Sequence, residues 1–213
     1  KEKKQFPANA DLYPGDYIIH IAKKIIGNND IKNFKNFENI YEKLSSAALA
    51  QSIEMIKENL KILGVKHDNF IYESNLVKNK LVDNTVRFLK EKNYVYSGKL
   101  EAPKGEDLKN WKIKDKLLFK STMFGDDVDR ALQKNDLTWT YFAGDLAYHA
   151  NKINRKYDVL INILGADHSG YIKRIVAAVK ALSNSKVNLV CKVSQLVKLF
   201  KNGEPFKMSK RKG

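Results

Sequence analysis

Two short apolar runs on either side of a helical segment constrain this sequence more than any other feature. Residues 158–164 (DVLINIL) and 187–193 (VNLVCKV) are nearly continuous in apolar residues, which is typical of parallel strands buried on both faces. Residues 171–182 lie between them and carry apolar side chains at helical spacing, at Ile172, Ile175, Val176, Val179 and Leu182. This order predicts a strand–helix–strand unit in a parallel sheet, and therefore an α/β fold.

The first half of the chain is predicted to be largely helical. Apolar residues at helical spacing predict helices over residues 16–26, 39–63 and 75–92, with Gly64 as the C-cap of the second helix. A further helix is predicted over residues 138–153, directly before the first apolar run.

Shorter elements complete the prediction. Residues 68–73 are predicted to form a short strand, and residues 94–100 and 111–119 a β-hairpin around a stretch that contains Gly and Pro. We expect residues 201–213 to form a basic loop that follows the strand–helix–strand unit after a short helix.

Composition narrows the class of protein. The chain has 213 residues, of which 43% are hydrophobic, enough for one domain or for one domain that carries an insertion. No apolar run is long enough to cross a membrane, and residues 1–6 lead into no signal-peptide core. Cys191 is the only cysteine, which excludes a disulfide framework and a Cys-based zinc site and suits a reducing cytosol.

The charge balance favours anionic partners. The chain has 39 Lys and Arg against 24 Asp and Glu, a formal net charge of +15. Nucleic acid, a membrane surface and a phosphorylated substrate are all consistent with this balance. A codon bias toward Lys and Asn would explain it equally well.

The turn after the first apolar run is a candidate nucleotide site. In open parallel sheets, ligands bind beyond the carboxyl ends of the strands. Gly165 allows close approach of a ligand to the backbone, and a carboxylate at Asp167 suits ribose hydroxyls, with His168 beside it. The alternative is that Asp167 only caps the next helix and that His168 is an ordinary surface histidine.

The sequence Lys207-Met208-Ser209-Lys210 is a second candidate. Two lysines on a mobile loop could stabilise the charge that develops on a triphosphate during attack at its α-phosphorus. The alternative is a basic chain segment without a ligand.

Tyr141 and Asp145 are a third candidate. They stand at i and i+4 on the predicted helix and share one face, which His149 continues one turn later. A phenol and a carboxylate that converge on one pocket could bind a cation, and a planar guanidinium matches a carboxylate in bidentate fashion. A surface helix on which Asp145 pairs with a nearby Lys or Arg is the alternative.

The acidic stretch from Ser121 to Arg130 raises the possibility of a metal site. Asp126, Asp127 and Asp129 lie close in sequence, but no EF-hand pattern and no nearby His or Cys accompany them. The stretch therefore favours a turn rich in capping residues, and no metal ligand is assigned.

Taken together, these residues resemble a class I aminoacyl-tRNA synthetase, specifically arginyl-tRNA synthetase of the bacterial type. The resemblance covers almost the whole chain, more weakly over residues 28–110. Its segments are YPGDYI (13–18), FKSTMFGDDVDRAL (119–132), TYFAGDLAYHANKINRKYDVLINILGADHSGYIKR (140–174) and GEPFKMSKRKG (203–213).

The resemblance implies an arginine–tRNA ligase with a Rossmann-type catalytic core, which uses ATP and Mg²⁺ to form arginyl-adenylate and then loads tRNA. It assigns residues 1–66 to a linker and a helical insertion, and residues 67–213 to the second half of the core. By the same resemblance, Tyr141, Asp145 and His168 bind arginine. Nucleotide binding falls to Gly165, Asp167, His168, Met208 and Ser209, and Lys207 and Lys210 act on the ATP phosphates.

One departure bears on activity. The class I signature His-x-Gly-His is absent from the sequence, whose histidines are His20, His67, His149 and His168. We expect that signature to lie upstream of residue 1 and an anticodon-binding domain to follow residue 213. The chain would then be a central fragment, inactive alone, of a cytoplasmic ligase that is monomeric at full length.

Two other classes stay open from the residues alone. One is another class I synthetase or a related nucleotidyltransferase, or a relative that kept the fold and lost the chemistry. The other is a basic nucleic-acid-binding module without catalysis.

Overall fold

The computed structural model describes residues 15–27, 36–99 and 115–206. The chain divides into two compact units, one formed by Ile71–Leu196 and the other by Lys1–Phe70 together with Val197–Gly213. The division predicted at residues 66 and 67 concerns which residues are inserted into a catalytic domain, and it stays a prediction. Within the described residues, no helix combines the length and the apolar character that crossing a bilayer requires.

In the unit that contains both chain ends, two helices pack together. These are α1 (Asp16–Ile26) and the long α2 (Tyr41–Ile62). The predicted helix boundaries are confirmed to within a few residues, and Gly64 has a φ of 71°, a left-handed conformation that glycine adopts without strain.

The same unit contains a hairpin that the sequence analysis missed. Strands β6 (Leu199–Lys201) and β7 (Glu204–Phe206) pair antiparallel, so the predicted loop and the short helix before it are wrong for these residues. Asn202 and Gly203 both have positive φ, 53° and 81°. An Asn-Gly pair of this kind forms the two-residue turn whose twist matches that of paired strands.

The unit Ile71–Leu196 begins with two short helices in place of the single predicted one. Helix α3 (Glu73–Lys78) and helix α4 (Leu81–Glu91) are separated at Lys80, whose φ is 54°. The break allows Leu76 on α3 and the row that begins at Val82 on α4 each to be buried, although their spacing does not fit one straight helix. The predicted strand over residues 68–73 is also wrong, because those residues pair with no strand in the described part of the chain and Glu73 already begins α3.

A small antiparallel sheet follows. Strand β1 (Val95–Gly98) pairs with β2 (Lys116–Phe119), as the predicted hairpin requires, and β2 also pairs with β3 (Arg130–Ala131). The rest of the predicted hairpin, residues 100–114, lies outside the described residues.

The strand–helix–strand prediction is confirmed. Strand β4 (Val159–Gly165) and strand β5 (Asn188–Ser194) pair in parallel, and α6 (Ile172–Ser183) connects them. Helix α5 (Tyr141–Asn154) precedes β4. The core packs between these helices, α4 and one face of the sheet, and its largest members include Leu89, Phe119, Phe142, Leu146, Leu160, Ile175, Val179 and Leu189. The α/β fold with a parallel sheet is therefore established.

One expectation about this sheet is wrong. Leu160 is buried, but the alternating residues Val159, Ile161 and Ile163 are exposed by 51%, 61% and 69%. Successive side chains of a strand point to opposite faces, and within this unit α5 and α6 cover only one of them. The continuous apolar run therefore does not mark a strand that is buried on both faces.

The acidic stretch forms ion pairs and turns. Arg130 binds both oxygens of Asp126 at 2.7 Å, and the Asp126 side chain is fully buried. Asp127 pairs with Lys173, and Asp129 accepts from the backbone and hydroxyl of Thr122. Burial opposes ionisation of Asp126, but the hydrogen bonds from Arg130 and from the Asp127 amide outweigh it and hold the pKa of Asp126 below its usual value.

We expect the Asp126→Asn substitution to lower the free energy of unfolding by about 3 kcal/mol, because it leaves the Arg130 guanidinium without its buried partner. Urea denaturation measures the change. Because the folded pKa is depressed, the contribution of Asp126 is present above its ordinary pKa and is lost as pH falls through the folded value. Asp127→Asn, which removes an exposed partner, is the control and should change stability little. Equal effects of the two substitutions would contradict the prediction.

Candidate functional site

The start of helix α5 is fixed by a threonine. Thr140 is the N-cap, and its side-chain oxygen accepts from the Ala143 amide at 3.3 Å. Its hydroxyl donates to the Ala131 carbonyl at 2.9 Å, which anchors the helix start to β3. Tyr141 therefore begins the first turn, and Asp145 follows one turn later on the same side.

Tyr141 and Asp145 line one cleft. Its volume is about 190 Å³, and the other residues of its wall are Ile71, Glu73, Leu76, Gly144 and Tyr148. Tyr141 is 79% exposed, whereas Asp145 is half-buried. Among the described residues, no Lys, Arg or His forms an ion pair with Asp145, so the alternative in which a neighbouring cation neutralises this carboxylate is not what the structure has.

Glu73 is the second carboxylate of this cleft and was not among the candidates predicted from the sequence. Glu73 lies in the first turn of α3 and close to Gly144 on α5, where a Cβ would be 3.5 Å from Glu73 Oε1, an ordinary van der Waals distance. No described cation forms an ion pair with Glu73 either. The incorrect strand assigned to residues 68–73 concealed it. The cleft thus presents two carboxylates and two phenols, a set of groups that suits a cation.

The sequence analysis also missed Tyr171. Its hydroxyl donates a hydrogen bond to Asp145 Oδ2. Burial, together with that hydrogen bond and the charge of Asp145, raises the pKa of Tyr171 well above its usual value. The phenol therefore stays protonated, and the carboxylate is the acceptor.

His149 lies on the buried continuation of the Asp145 face. It is 3% exposed, and its Nδ1 is 2.8 Å from the Asp145 carbonyl oxygen. Its Nε2 is 3.0 Å from Asn162 Nδ2 on β4, and Lys152 Nζ donates to Asn162 Oδ1 at 2.8 Å. A carbonyl can only accept and an ammonium can only donate, so Nδ1 carries the proton and Nε2 accepts from the Asn162 amide. His149 is a neutral link between α5 and the sheet.

The glycine-bounded turn lies at the carboxyl end of β4. Gly165 is followed by a short 3₁₀ helix, Ala166–Tyr171, and a Cβ at Gly165 would meet Asp167 Oδ1 at 2.5 Å. Asp167 and His168 are exposed, with 3.6 Å between Asp167 Oδ2 and His168 Nε2. In this conformation the Asp167 carboxylate lies against the Gly165 backbone, and a side chain at position 165 would displace that exposed carboxylate.

The structure brings these candidates together only in part. The cleft contains Tyr141 and Asp145 but not Gly165, Asp167 or His168. Tyr171, which closes the turn, joins the two through Asp145. The remaining candidates, Lys207, Met208, Ser209 and Lys210, lie outside the described residues. Within the described part of the chain, no group of three or more His, Cys, Asp or Glu side chains is arranged to hold a metal ion.

His149 makes stability depend on pH. Burial lowers its pKa below 6.5, and the charge of Lys152 acts in the same direction. The folded chain therefore binds fewer protons than the unfolded chain, and the free energy of unfolding should fall as pH drops below about 6.5.

We expect His149→Gln to be less stable than wild type at pH 7.5 and to lose less stability between pH 7.5 and 5.5. Denaturation curves at both pH values measure this. A His149→Gln variant whose stability changes with pH as steeply as that of the wild type would contradict the assignment.

Comparison with known proteins points to one group of relatives. The arginine–tRNA ligase of Pelagibacter ubique (strain HTCC1062) is 60% identical over 210 residues, which are 98% of this chain and 36% of the relative. That of Anaplasma phagocytophilum (strain HZ) is 47% identical over 207 residues, 96% of this chain and 35% of the relative. No family model matches the chain.

A solved structure agrees with these relatives. A crystal structure described as that of an arginyl-tRNA synthetase from Campylobacter jejuni superposes with a TM-score of 0.73 at 32% identity, over 97% of this chain and 41% of that one. The chain spans about a third of the length of the curated relatives it matches. Over nearly its whole length, the chain is homologous to one segment of the arginine–tRNA ligases.

Proposed function

We propose that this chain is the part of an arginine–tRNA ligase that holds the side chain of arginine and contributes to the ATP site. The complete ligase would join arginine to ATP, forming arginyl-adenylate and pyrophosphate, and then transfer arginine to the 3′ end of its tRNA. The observation that carries the proposal is the cleft of Tyr141 and Asp145, in a chain homologous to such ligases. No described cation forms an ion pair with the Asp145 carboxylate, although the Lys134 ammonium lies 5.6 Å from the centre of the Tyr141 ring.

The chemistry of the cleft supports arginine over lysine. A guanidinium is planar and carries five N–H donors, which match the two oxygens of a carboxylate and an adjacent phenol oxygen. An ammonium is a compact charge that cannot engage the same acceptors at once. A lysine in the cleft would leave polar groups unpaired, at a cost of order 1–3 kcal/mol for each group.

The ATP side of the proposal rests on the turn after β4 and on the Lys207–Lys210 motif. Gly165, Asp167 and His168 lie where nucleotides bind in parallel sheets, at the carboxyl end of a strand. In the reaction, a carboxylate oxygen of arginine forms a bond to the α-phosphorus as the bond to pyrophosphate breaks. We expect Lys207 and Lys210 to stabilise the charge on the phosphates, and Met208 and Ser209 to contact the nucleotide.

Mg²⁺ accompanies ATP in the proposal, but the described residues offer no group of ligands that fits a protein-bound ion. The acidic side chains Asp126, Asp127 and Asp129 are committed to Arg130, Lys173 and Thr122.

The remaining parts of the proposal follow from the ligase reaction. Transfer RNA is a polyanion, which suits the net charge of +15. We place the ligase in the cytoplasm and expect it to be a monomer. No observation favours a different class I synthetase or a non-catalytic nucleic-acid-binding module.

A grafted ligase tests the proposal. In the grafted ligase, the present chain replaces the 210 residues of the Pelagibacter ligase to which it is 60% identical. We expect arginine-dependent pyrophosphate exchange in the presence of tRNA. The isolated chain, which lacks the His-x-Gly-His signature, should show none. Robust exchange by the isolated chain, or none by the grafted ligase when it is folded, would contradict the proposal.

In the grafted ligase, Asp145→Asn should lower kcat/KM for arginine by at least about a hundredfold, because the guanidinium loses its charged acceptor. Steady-state exchange measures the loss, and the KM for ATP should stay within about twofold. Asp127→Asn, an exposed aspartate paired with Lys173, is the matched control and should keep the wild-type kcat/KM. Normal arginine use by the Asp145→Asn variant would remove the cleft from the arginine site.

A further inference from the structure

The ring of Tyr171 is held on two sides. It packs edge-on against Phe142, with ring centroids 6.4 Å apart and an angle of 84° between the planes. The Arg174 guanidinium carbon lies 4.5 Å from the centre of the Tyr171 ring. Tyr171 is also the residue at which the 3₁₀ helix ends and α6 begins. These contacts define where its hydroxyl lies.

The hydroxyl occupies one oxygen of Asp145 and leaves the other available. Tyr171 donates to Oδ2, and within the described residues Oδ1 accepts no hydrogen bond. A carboxylate oxygen has two lone pairs, so Oδ2 can accept a second hydrogen bond in addition to the one from Tyr171. Asp145 therefore keeps acceptor sites for a ligand in the cleft.

The nature of the donor matters as much as its position. A Lys or Arg in place of the phenol would neutralise Asp145, whereas a phenol holds the carboxylate and keeps its negative charge. Two arginines are close enough to act electrostatically on Tyr171, yet neither forms an ion pair with Asp145. Arg130 is bound by Asp126, and Arg174 lies over the face of the Tyr171 ring.

From this arrangement we infer that Tyr171 is a positioning residue for arginine binding, which orients the Asp145 carboxylate without neutralising it. The inference rests on the proposed function of the cleft. Without the hydroxyl, the carboxylate can rotate about its Cβ–Cγ bond, and binding arginine must then restrict that rotation. The effect falls on the binding of arginine, and the nucleotide and the chemical step are not expected to change.

Tyr171→Phe in the grafted ligase tests the inference, since it removes one oxygen and keeps the ring. We expect the KM for arginine to rise about tenfold, while kcat and the KM for ATP stay within about twofold. The matched control is Tyr96→Phe, which removes another tyrosine–aspartate hydrogen bond, from Tyr96 to Asp129 at 3.0 Å, outside the cleft. That control should keep the KM for arginine.

An unchanged KM for arginine in Tyr171→Phe would overturn the inference and leave the proposed function intact. A fall in kcat together with a rise in the KM for both arginine and ATP would also overturn it, because that pattern indicates a structural role. No arginine use by the folded wild-type grafted ligase would overturn the proposed function, and the inference with it.

A double-mutant cycle provides a second measurement that does not need turnover. Calorimetry measures arginine binding to the grafted ligase that carries Tyr171→Phe, Asp145→Asn or both substitutions. If Tyr171 acts through Asp145, its substitution should change arginine affinity by less than twofold in the Asp145→Asn background. An effect of equal size in both backgrounds would show that Tyr171 acts independently, which would overturn the inference.

Discussion

A chain of hydrogen bonds through one buried histidine determines where the candidate site lies. His149 binds the backbone carbonyl of Asp145 on one side and Asn162 of β4 on the other. Helix α5 carries the acid of the cleft, and β4 ends in the glycine-bounded turn, so the packing of these two elements sets the distance between the two parts of the site. An apolar contact could slide along the strand, but a hydrogen bond to a single amide specifies one register.

The direction of these hydrogen bonds explains why the link needs a neutral histidine. Lys152 donates to Asn162 Oδ1, which turns the amide nitrogen toward His149. Protonation of His149 would place two N–H groups against each other, and a flipped Asn162 amide would then present its nitrogen to the Lys152 ammonium. Burial disfavours the charged imidazole, and the N–H donor of Asn162 needs an acceptor at Nε2. Both therefore favour a neutral His149.

The sequence predicted those parts of the fold that depend on local patterns. Helices α1, α2, α5 and α6 and strands β4 and β5 were predicted to within a few residues, because apolar periodicity is a property of neighbours in the chain. The break at Lys80 was not predicted, because Leu76 and Val82 are both buried and apolar spacing alone does not show that the helix is interrupted between them. The Asn202-Gly203 pair favours a two-residue hairpin turn, but the segment was assigned to a loop because it is rich in basic residues.

The candidate site also has a part that local patterns predict and a part that depends on contacts between distant residues. The shared face of Tyr141 and Asp145 follows from helical spacing, whereas Tyr171 reaches Asp145 across 26 residues and Glu73 comes from a separate helix. The exposure of Ile161 was equally unreadable, because an apolar run does not reveal which face of a sheet is covered.

The ion pair near the turn and the negative charge of the cleft are physically connected. Arg130 lies close enough to Tyr171 to affect its charge state, and a guanidinium in that position competes for any free carboxylate nearby. Asp126 binds both guanidinium nitrogens that face it, and burial makes the exchange of that partner costly. Arg174 lies over the aromatic face of Tyr171, and its Nε is buried without a hydrogen-bond partner among the described residues. Asp145 forms no ion pair with either neighbouring arginine, because Arg130 is held by Asp126 and Arg174 lies over the Tyr171 ring. A cleft that keeps its negative charge in this way suits the guanidinium that we propose as its ligand.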